Sequence, residues 1–219
     1  DQTMSVELVQ KTRASHLIED FMIAANVAMA QFLDEHNSPT IRRIVRTPER
    51  WDRIVALAAT LGEKLPTLPD SAALETFLIK RLAADPDHFP DLSLSVVKLI
   101  GPGEYTLHIP GSADAGHFGL ATHDYTHSTA PNRRYADLVT QRLLKAVLAG
   151  QPCPYSTDEL TTVSAHSTER EDAARKVERQ VRKEVAAVSM APNVGESFDA
   201  IVTGANEKGT YVRVLNPPI

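Results

Sequence analysis

One short stretch constrains this chain more than any other: a loop rich in hydroxyl groups that passes directly into a helical pattern. The loop occupies 125–137 and contains two adjacent arginines, Arg133 and Arg134. The spacing of the apolar residues that follow predicts a helix over about 134–149, and Gly150 can end it. Backbone N–H groups at a helix start and guanidinium groups both suit phosphate oxygens, so this arrangement indicates a phosphate-binding loop.

Composition limits the class of protein. The chain has 219 residues, of which 42% are hydrophobic and 23% charged, enough for one core and the start of a second domain. A net charge of −5 argues against indiscriminate nucleic-acid binding but leaves room for a local basic channel. The single cysteine, Cys153, excludes an internal disulfide framework and favours a reducing, cytoplasmic setting. No apolar run is long enough to cross a membrane, and we expect no membrane partner.

Apolar periodicity and turn residues predict an α+β fold that is mainly helical in this segment. Ser15 is the expected cap of a helix through about residue 35, and 40–46 forms a short strand. Thr47-Pro48-Glu49 suits the start of a second helix, which Gly62 can end. Further elements are a helix over 71–84, a loop containing Asp85-Pro86-Asp87 and Phe89-Pro90-Asp91, an ambiguous stretch over 92–110, and a strand over 105–109.

The last third of the chain predicts a long helix and then a hairpin. Ser156 with Glu159 forms a capping box that opens a helix to about Met190. Its predicted inner stripe is Ala174, Val177, Val181, Val185 and Val188. Pro192-Asn193 is the expected domain boundary, followed by strands at 198–202 and 210–214 with a turn at 207–209.

Three segments resemble one enzyme family. Residues 116–121 are GHFGLA, residues 125–138 follow the pattern YTHxTxPxRRYxDL, and residues 17–26 are similar to LVEEFMLLAN. These are the signatures of the ribonuclease II and ribonuclease R exoribonucleases. The resemblance implies that 1–191 is the C-terminal part of an RNB-type catalytic domain. It also implies that 194–219 is the truncated start of an S1-type RNA-binding domain with an OB-fold barrel.

The resemblance assigns roles within the loop. Arg133 is the expected catalytic residue, contacting the phosphate near the scissile bond, with Arg134 beside it as an RNA contact. A fixed guanidinium would stabilise the charge that builds on non-bridging oxygens during phosphoryl transfer. Tyr125, Thr126 and Thr129 are candidate donors to the RNA backbone. From the residues alone, the arginines can instead pair with a carboxylate such as Asp137 or cap a helix, and the hydroxyl groups can cap turns.

Further RNA contacts are implied on the helices and the hairpin. Glu19 is the candidate for the ribose 2′-hydroxyl, and Asn26 shares an edge of the same predicted helix. The long helix is expected to line the RNA channel, with Glu178 and Arg179 nearest the strand. Simpler alternatives are a solvated glutamate and a solvated face held by ion pairs four residues apart. Phe198 and Tyr211 are candidate stacking platforms, or else members of a simple hairpin.

Four histidines, His108, His117, His123 and His127, fall within twenty positions. The loop residues between them are not typical metal ligands, so zinc binding is not expected, and His117 and His127 are expected to orient the loop through hydrogen bonds.

The resemblance implies Mg²⁺ as the cofactor, held by an aspartate cluster. No such cluster occurs in the sequence, so its ligands are expected in a missing upstream part, and the chain alone is expected to be inactive. The implied function is processive 3′-to-5′ hydrolysis of single-stranded RNA to nucleoside 5′-monophosphates. The alternatives are a non-catalytic RNA-binding protein of the same fold and a helical scaffold with no RNA affinity. Oligomeric state stays open.

Overall fold

A computed structural model describes residues 12–112, 116–207 and 209–215. The helices and strands in chain order are α1 (Arg13–Glu35), β1 (Thr40–Ile44), α2 (Trp51–Thr60), α3 (Ser71–Ala84), α4 (Phe89–Ile100), β2 (Glu104–His108), α5 (Tyr135–Leu148), α6 (Thr157–Met190), β3 (Ala200–Asn206) and β4 (Gly209–Val214). One compact unit covers Ala14–Glu169, and the other contains the chain from Arg170 onward. The predicted α+β class is confirmed.

The first core surrounds a two-stranded antiparallel sheet. β1 pairs with β2 from Thr40 opposite His108 to Ile44 opposite Glu104, and all five residues of β1 are buried. α1, α5 and the first turns of α6 cover the pair because their apolar stripes need an opposing surface. The buried members of this cluster are Leu33, Ile41, Tyr105, Ala136, Val139, Leu143 and Leu160. Both predicted strands are confirmed, with β1 ending two residues earlier than expected.

The second core lies among α2, α3 and α4. Its buried members are Trp51, Ile54, Ala58, Leu65, Leu74, Phe77 and Val96. The predicted helix over 71–84 is confirmed, and Asp70 caps it by accepting a hydrogen bond from the Ala73 N–H at 2.9 Å. The expected loop at Phe89-Pro90-Asp91 is wrong, because these residues form the first turn of α4. Proline is tolerated there because the N–H groups of the first turn have no acceptor within the helix.

Helix starts were the least accurate of the sequence predictions. α1 begins at Arg13, so Ser15 lies inside the helix and is not its cap. α2 begins at Trp51, after Thr47-Pro48-Glu49 and without a side-chain cap. At the start of α6, by contrast, the capping box is confirmed, because Ser156 N–H donates to Glu159 Oε2 at 2.8 Å and Glu159 N–H donates to Ser156 Oγ at 3.2 Å.

The predicted inner stripe of α6 is wrong at most of its positions. Val177, Val181 and Val188 are 63%, 48% and 63% exposed. A helical period identifies the apolar side of a helix, but burial also requires an opposing surface, and the described residues provide none there. No helix in the described part of the chain combines the length and apolar character needed to span a bilayer.

The hairpin predicted after α6 is confirmed. β3 and β4 pair antiparallel from Ala200 opposite Val214 to Asn206 opposite Gly209, with an irregularity between Val202 and Gly204. The expected boundary at Pro192-Asn193 carries a short 3₁₀ helix, Ala191–Asn193, whereas the compact units divide between Glu169 and Arg170 inside α6. Completion of the hairpin into an OB-fold barrel stays a prediction.

Candidate nucleic-acid interface

Residues 116–134, here called the signature loop, lie against the buried strand β1. Arg43 N–H donates to the Tyr125 carbonyl at 2.9 Å, and Phe118 N–H donates to the Val45 carbonyl at 2.9 Å. A further bond joins His117 N–H to the Thr122 carbonyl at 2.7 Å. Backbone bonds therefore attach the loop to β1 and to Val45 just after it, and they also close the loop upon itself.

Asn26 of α1 holds the middle of the signature loop. Its side chain is 1% exposed, and its Oδ1 accepts hydrogen bonds from both the N–H and the Oγ of Ser128, each at 2.9 Å. Its Nδ2 donates to the Tyr125 hydroxyl at 3.2 Å. All the contacts described for this amide are internal, so its predicted RNA contact is corrected to a positioning role. Glu19, seven positions earlier on the same side of the helix, is exposed.

Two of the predicted hydroxyl donors are also committed within the protein. Thr126 is 0% exposed and donates to the Ile41 carbonyl at 2.6 Å, and Tyr125 is 7% exposed. Both side chains are buried and bonded within the fold, so their predicted contact with the RNA backbone is corrected to support of the loop. Thr129 is half-buried, and its hydroxyl oxygen has no hydrogen-bond partner among the described residues.

The two adjacent arginines have different environments. Arg134 donates from Nε to Asp137 Oδ2 at 2.9 Å and from Nη2 to Oδ1 at 2.8 Å, in a bidentate pair. Asp137 is fully buried and also accepts from the Ala130 N–H at 2.8 Å. For Arg134, the carboxylate-pairing alternative therefore holds, and its predicted RNA contact is corrected to a structural one.

Arg133 is the exposed member of the pair. Its N–H donates to the Ala130 carbonyl at 3.2 Å, which fixes the turn, while its side chain is exposed and has no ion pair or hydrogen bond within the described residues. The loop thus pairs one guanidinium internally and presents the other to solvent. A cation held on a fixed backbone and left exposed is suited to bind an anionic group such as phosphate.

Ring contacts support the loop from below. His127 contacts both Tyr105 and Tyr125 edge-to-face with ring centroids 5.6 Å apart, and its Nδ1 lies 2.8 Å from the Tyr105 hydroxyl oxygen. This bond bears out the expected orienting role of His127. His117 contacts the Tyr125 ring at 5.2 Å, but its Nδ1 has no hydrogen-bond partner among the described residues.

Both histidines are neutral at physiological pH. Burial, followed by the nearby Arg134 and Arg43 charges, lowers the pKa of His127 to about 3. Burial and the charge of Arg43 lower the pKa of His117 to about 4. Under the loop, therefore, the fixed positive charge belongs to arginines and does not vary between pH 6 and 8.

Several supporting residues were missed by the sequence analysis. Ser128 links the loop to α1, and Gln141 of α5 donates to the Ser128 carbonyl at 2.7 Å. Arg43 is 5% exposed and stacks its guanidinium over the Tyr105 ring, 4.7 Å from the ring centroid. Each partner lies 13 or more positions away, so no local pattern could have revealed these contacts.

The remaining predicted site residues lie in the second unit. Glu178 is 59% exposed and accepts from Arg182 Nη2 at 2.6 Å, so the ion-pair alternative holds for it, whereas Arg179 is exposed. Phe198 is half-buried and Tyr211 is 51% exposed. Within the described residues, no group of three or more histidine, cysteine or acidic side chains could hold a metal ion.

Fold and site together define an α+β domain with an internally bonded loop on which one of two adjacent arginines is exposed. A family model described as the RNB domain matches residues 1–150. The chain therefore belongs to the RNB domain family, which confirms the resemblance seen in its sequence motifs.

Curated relatives and solved structures agree with this family. Ribonuclease R 1 of Lactococcus lactis is 30% identical over 228 aligned positions that cover 99% of this chain, and ribonuclease R of Escherichia coli is 28% identical over 95% of it. The chain spans 27% of the length of each of these relatives.

Among solved structures, the apo form of Mycoplasma genitalium RNase R matches with a TM-score of 0.82 at 19% identity, over 96% of this chain and 34% of that one. Yeast Ssd1, described as a pseudonuclease, matches with a TM-score of 0.65 at 24% identity, over 80% of this chain and 22% of that one. At these identities the structural likeness supports the fold alone.

Proposed function

We propose that the complete gene product is a 3′-to-5′ hydrolytic exoribonuclease that shortens single-stranded RNA to nucleoside 5′-monophosphates in the cytoplasm. The observation that carries the proposal is the exposed side chain of Arg133 on an otherwise internally bonded loop. The relatives named ribonuclease R support the same activity.

In this proposal, Arg133 contacts the phosphate near the scissile bond and stabilises the negative charge that develops on its oxygens. Asp137 helps by binding Arg134 and the Ala130 N–H, because these bonds fix the turn that presents Arg133. Asn26 fixes the preceding residues through Ser128. The guanidinium is therefore oriented before RNA arrives, and little reorganisation is needed during the reaction.

Recognition of the RNA strand is assigned to further side chains, most of them exposed, each taken within its own unit. Glu19 accepts a hydrogen bond from a ribose 2′-hydroxyl, the group that distinguishes RNA from DNA. Arg179 binds a phosphate, and Tyr211 and Phe198 offer rings for base stacking in the second unit.

The family likeness implies Mg²⁺, but the donors of this chain do not fit it. A hard divalent cation needs several oxygen ligands close together, and the described residues contain no group of three or more histidine, cysteine or acidic side chains that could hold one. We therefore assign no step of the reaction on this chain to a metal.

The test uses the complete gene product, Mg²⁺ and a 5′-labelled single-stranded RNA. We expect stepwise shortening from the 3′ end. Arg133→Ala should slow cleavage about 10²- to 10³-fold, the effect of removing one transition-state donor, while RNA affinity changes far less. Arg53→Ala removes an exposed cation of α2 and serves as the matched control. Equal loss of rate in both variants would contradict the assignment.

A second candidate is a non-catalytic RNA-binding protein of the same fold. It rests on the same exposed Arg133 and Tyr211 side chains, which can bind RNA without a metal. Binding of the labelled RNA without any shortening would support this candidate over the exoribonuclease.

A further inference from the structure

A pocket in the first unit has a lining that shares no residue with the signature loop. It has a volume of about 190 Å³ and lies where the end of α2, the end of α3 and the start of α4 meet. Its lining residues are Leu61, Arg81, Asp85, His88, Phe89 and Leu92. Leu61 and Leu92 also pack against the second core, so the apolar wall belongs to a packed part of the fold.

The pocket contains an arginine whose hydrogen-bonding capacity is not used. The side chain of Arg81 is 22% exposed, and its Nε is buried without a hydrogen-bond partner among the described residues. Its Nη2 lies 3.9 Å from Asp85 Oδ2, which is too long for a hydrogen bond. Its position in the last turn of α3 suits a cation, but this does not satisfy the buried donor.

Asp85 meets this need only in part, because Oδ2 pairs with Arg81 at ion-pair distance while Oδ1 is engaged elsewhere. Its Oδ1 accepts from the His88 N–H at 3.2 Å and lies 2.9 Å from His88 Nδ1. These two contacts with His88 lower the pKa of Asp85, and the charge of Arg81 is the smallest contribution. One carboxylate oxygen therefore serves the start of α4, the other forms a long ion pair with Nη2, and the Arg81 Nε keeps its donor for another acceptor.

The size of the pocket and its charges indicate which hydrogen-bond acceptor it would bind. Pockets for whole drug-sized ligands measure about 300–1,000 Å³, so a volume of about 190 Å³ admits one apolar group and a small polar head. A guanidinium binds planar carboxylates well, and the neighbouring Asp85 disfavours a doubly charged phosphate. We propose that this pocket binds a carboxylate carried next to a leucine-sized apolar group.

Such a carboxylate has two sources, a small organic acid and the C-terminus of a protein. The experiment is an NMR titration of the ¹⁵N-labelled protein that follows the Arg81 Nε–Hε signal. The probes are N-acetyl-leucine, N-acetyl-leucinamide, acetate, an octapeptide ending in leucine, and the same peptide amidated. We expect saturable shifts with the two leucine carboxylates and none with the amides or acetate.

Comparison of the acid and the peptide separates the sources. Tighter binding of the peptide indicates a protein C-terminus, and equal or tighter binding of N-acetyl-leucine indicates a small acid. Arg81→Gln should weaken binding at least about tenfold, Arg81→Lys should restore it only partly, and Arg53→Gln should leave it unchanged. Circular dichroism verifies that each variant is folded. Equal shifts with acid and amide, or no binding to the folded parent protein, would overturn the proposal.

Discussion

Asn26→Ala gives the most direct test of how the signature loop is held. The substitution removes three hydrogen bonds, two accepted from Ser128 and one donated to Tyr125. A buried intramolecular hydrogen bond contributes about 1 kcal/mol net, so the free energy of unfolding should fall by about 3 kcal/mol. The Ser128 N–H would then be left without its acceptor in a buried place, which adds to the loss.

Urea unfolding of the parent and the variant measures this difference, and hydrogen exchange reports on the Ser128 amide itself. Ser128→Ala is the graded comparison, because it removes the hydroxyl contact and retains the N–H bond, for a loss of about 1 kcal/mol. Asp20→Ala, at an exposed position of α1, should change stability by less than about 0.5 kcal/mol. A loss below about 1 kcal/mol for Asn26→Ala, with unchanged exchange at Ser128, would refute the reasoning.

Three further outcomes are expected. Gly103→Ala would place its Cβ 2.8 Å from Arg43 Nη2, so this buried guanidinium must move, and urea unfolding should detect a loss of about 1–3 kcal/mol. Since His127 has a pKa of about 3 when folded and 6.5 when unfolded, the unfolded chain binds more protons between these values, and stability should fall as pH decreases through that window. The fall should be shallower in His127→Gln, and an identical pH profile would contradict the burial of the ring. Asp70→Ala should cost about 1 kcal/mol by removing the cap on the Ala73 N–H, Asp70→Ser should cost less, and equal losses would argue against the cap.

The sequence predicted local structure correctly where neighbouring residues alone determine it. The helix over 71–84 and the capping box of Ser156 with Glu159 depend on neighbouring residues, and both are present. Whether Val181 is buried depends instead on another surface covering α6, and the helical period of apolar residues does not contain that information. The predicted cap of α1 at Ser15 is wrong, because a residue that caps helices well is also tolerated inside a helix.

The same division applies to the site. The motif identified the loop and its arginines, but it did not show that Arg134 binds Asp137 while Arg133 is exposed. Both side chains have the same chemistry and adjacent positions, and only the turn between Ala130 and α5 separates their directions. Asn26 is predicted as an RNA contact because it shares a helix edge with Glu19 in the segment that resembles the family, whereas its partner Ser128 lies 102 positions away.

The buried strand β1 has an evolutionary consequence. Arg42 is 1% exposed, and its Nη2 lies 3.9 Å from Asp34 and 3.7 Å from Asp124, two carboxylates from stretches of chain that are far apart in sequence. Loss of either carboxylate would weaken the neutralisation of a charge that water cannot reach. Among descendants of a common ancestor, these three positions should therefore covary, so that a neutral residue at position 42 accompanies neutral residues at the other two.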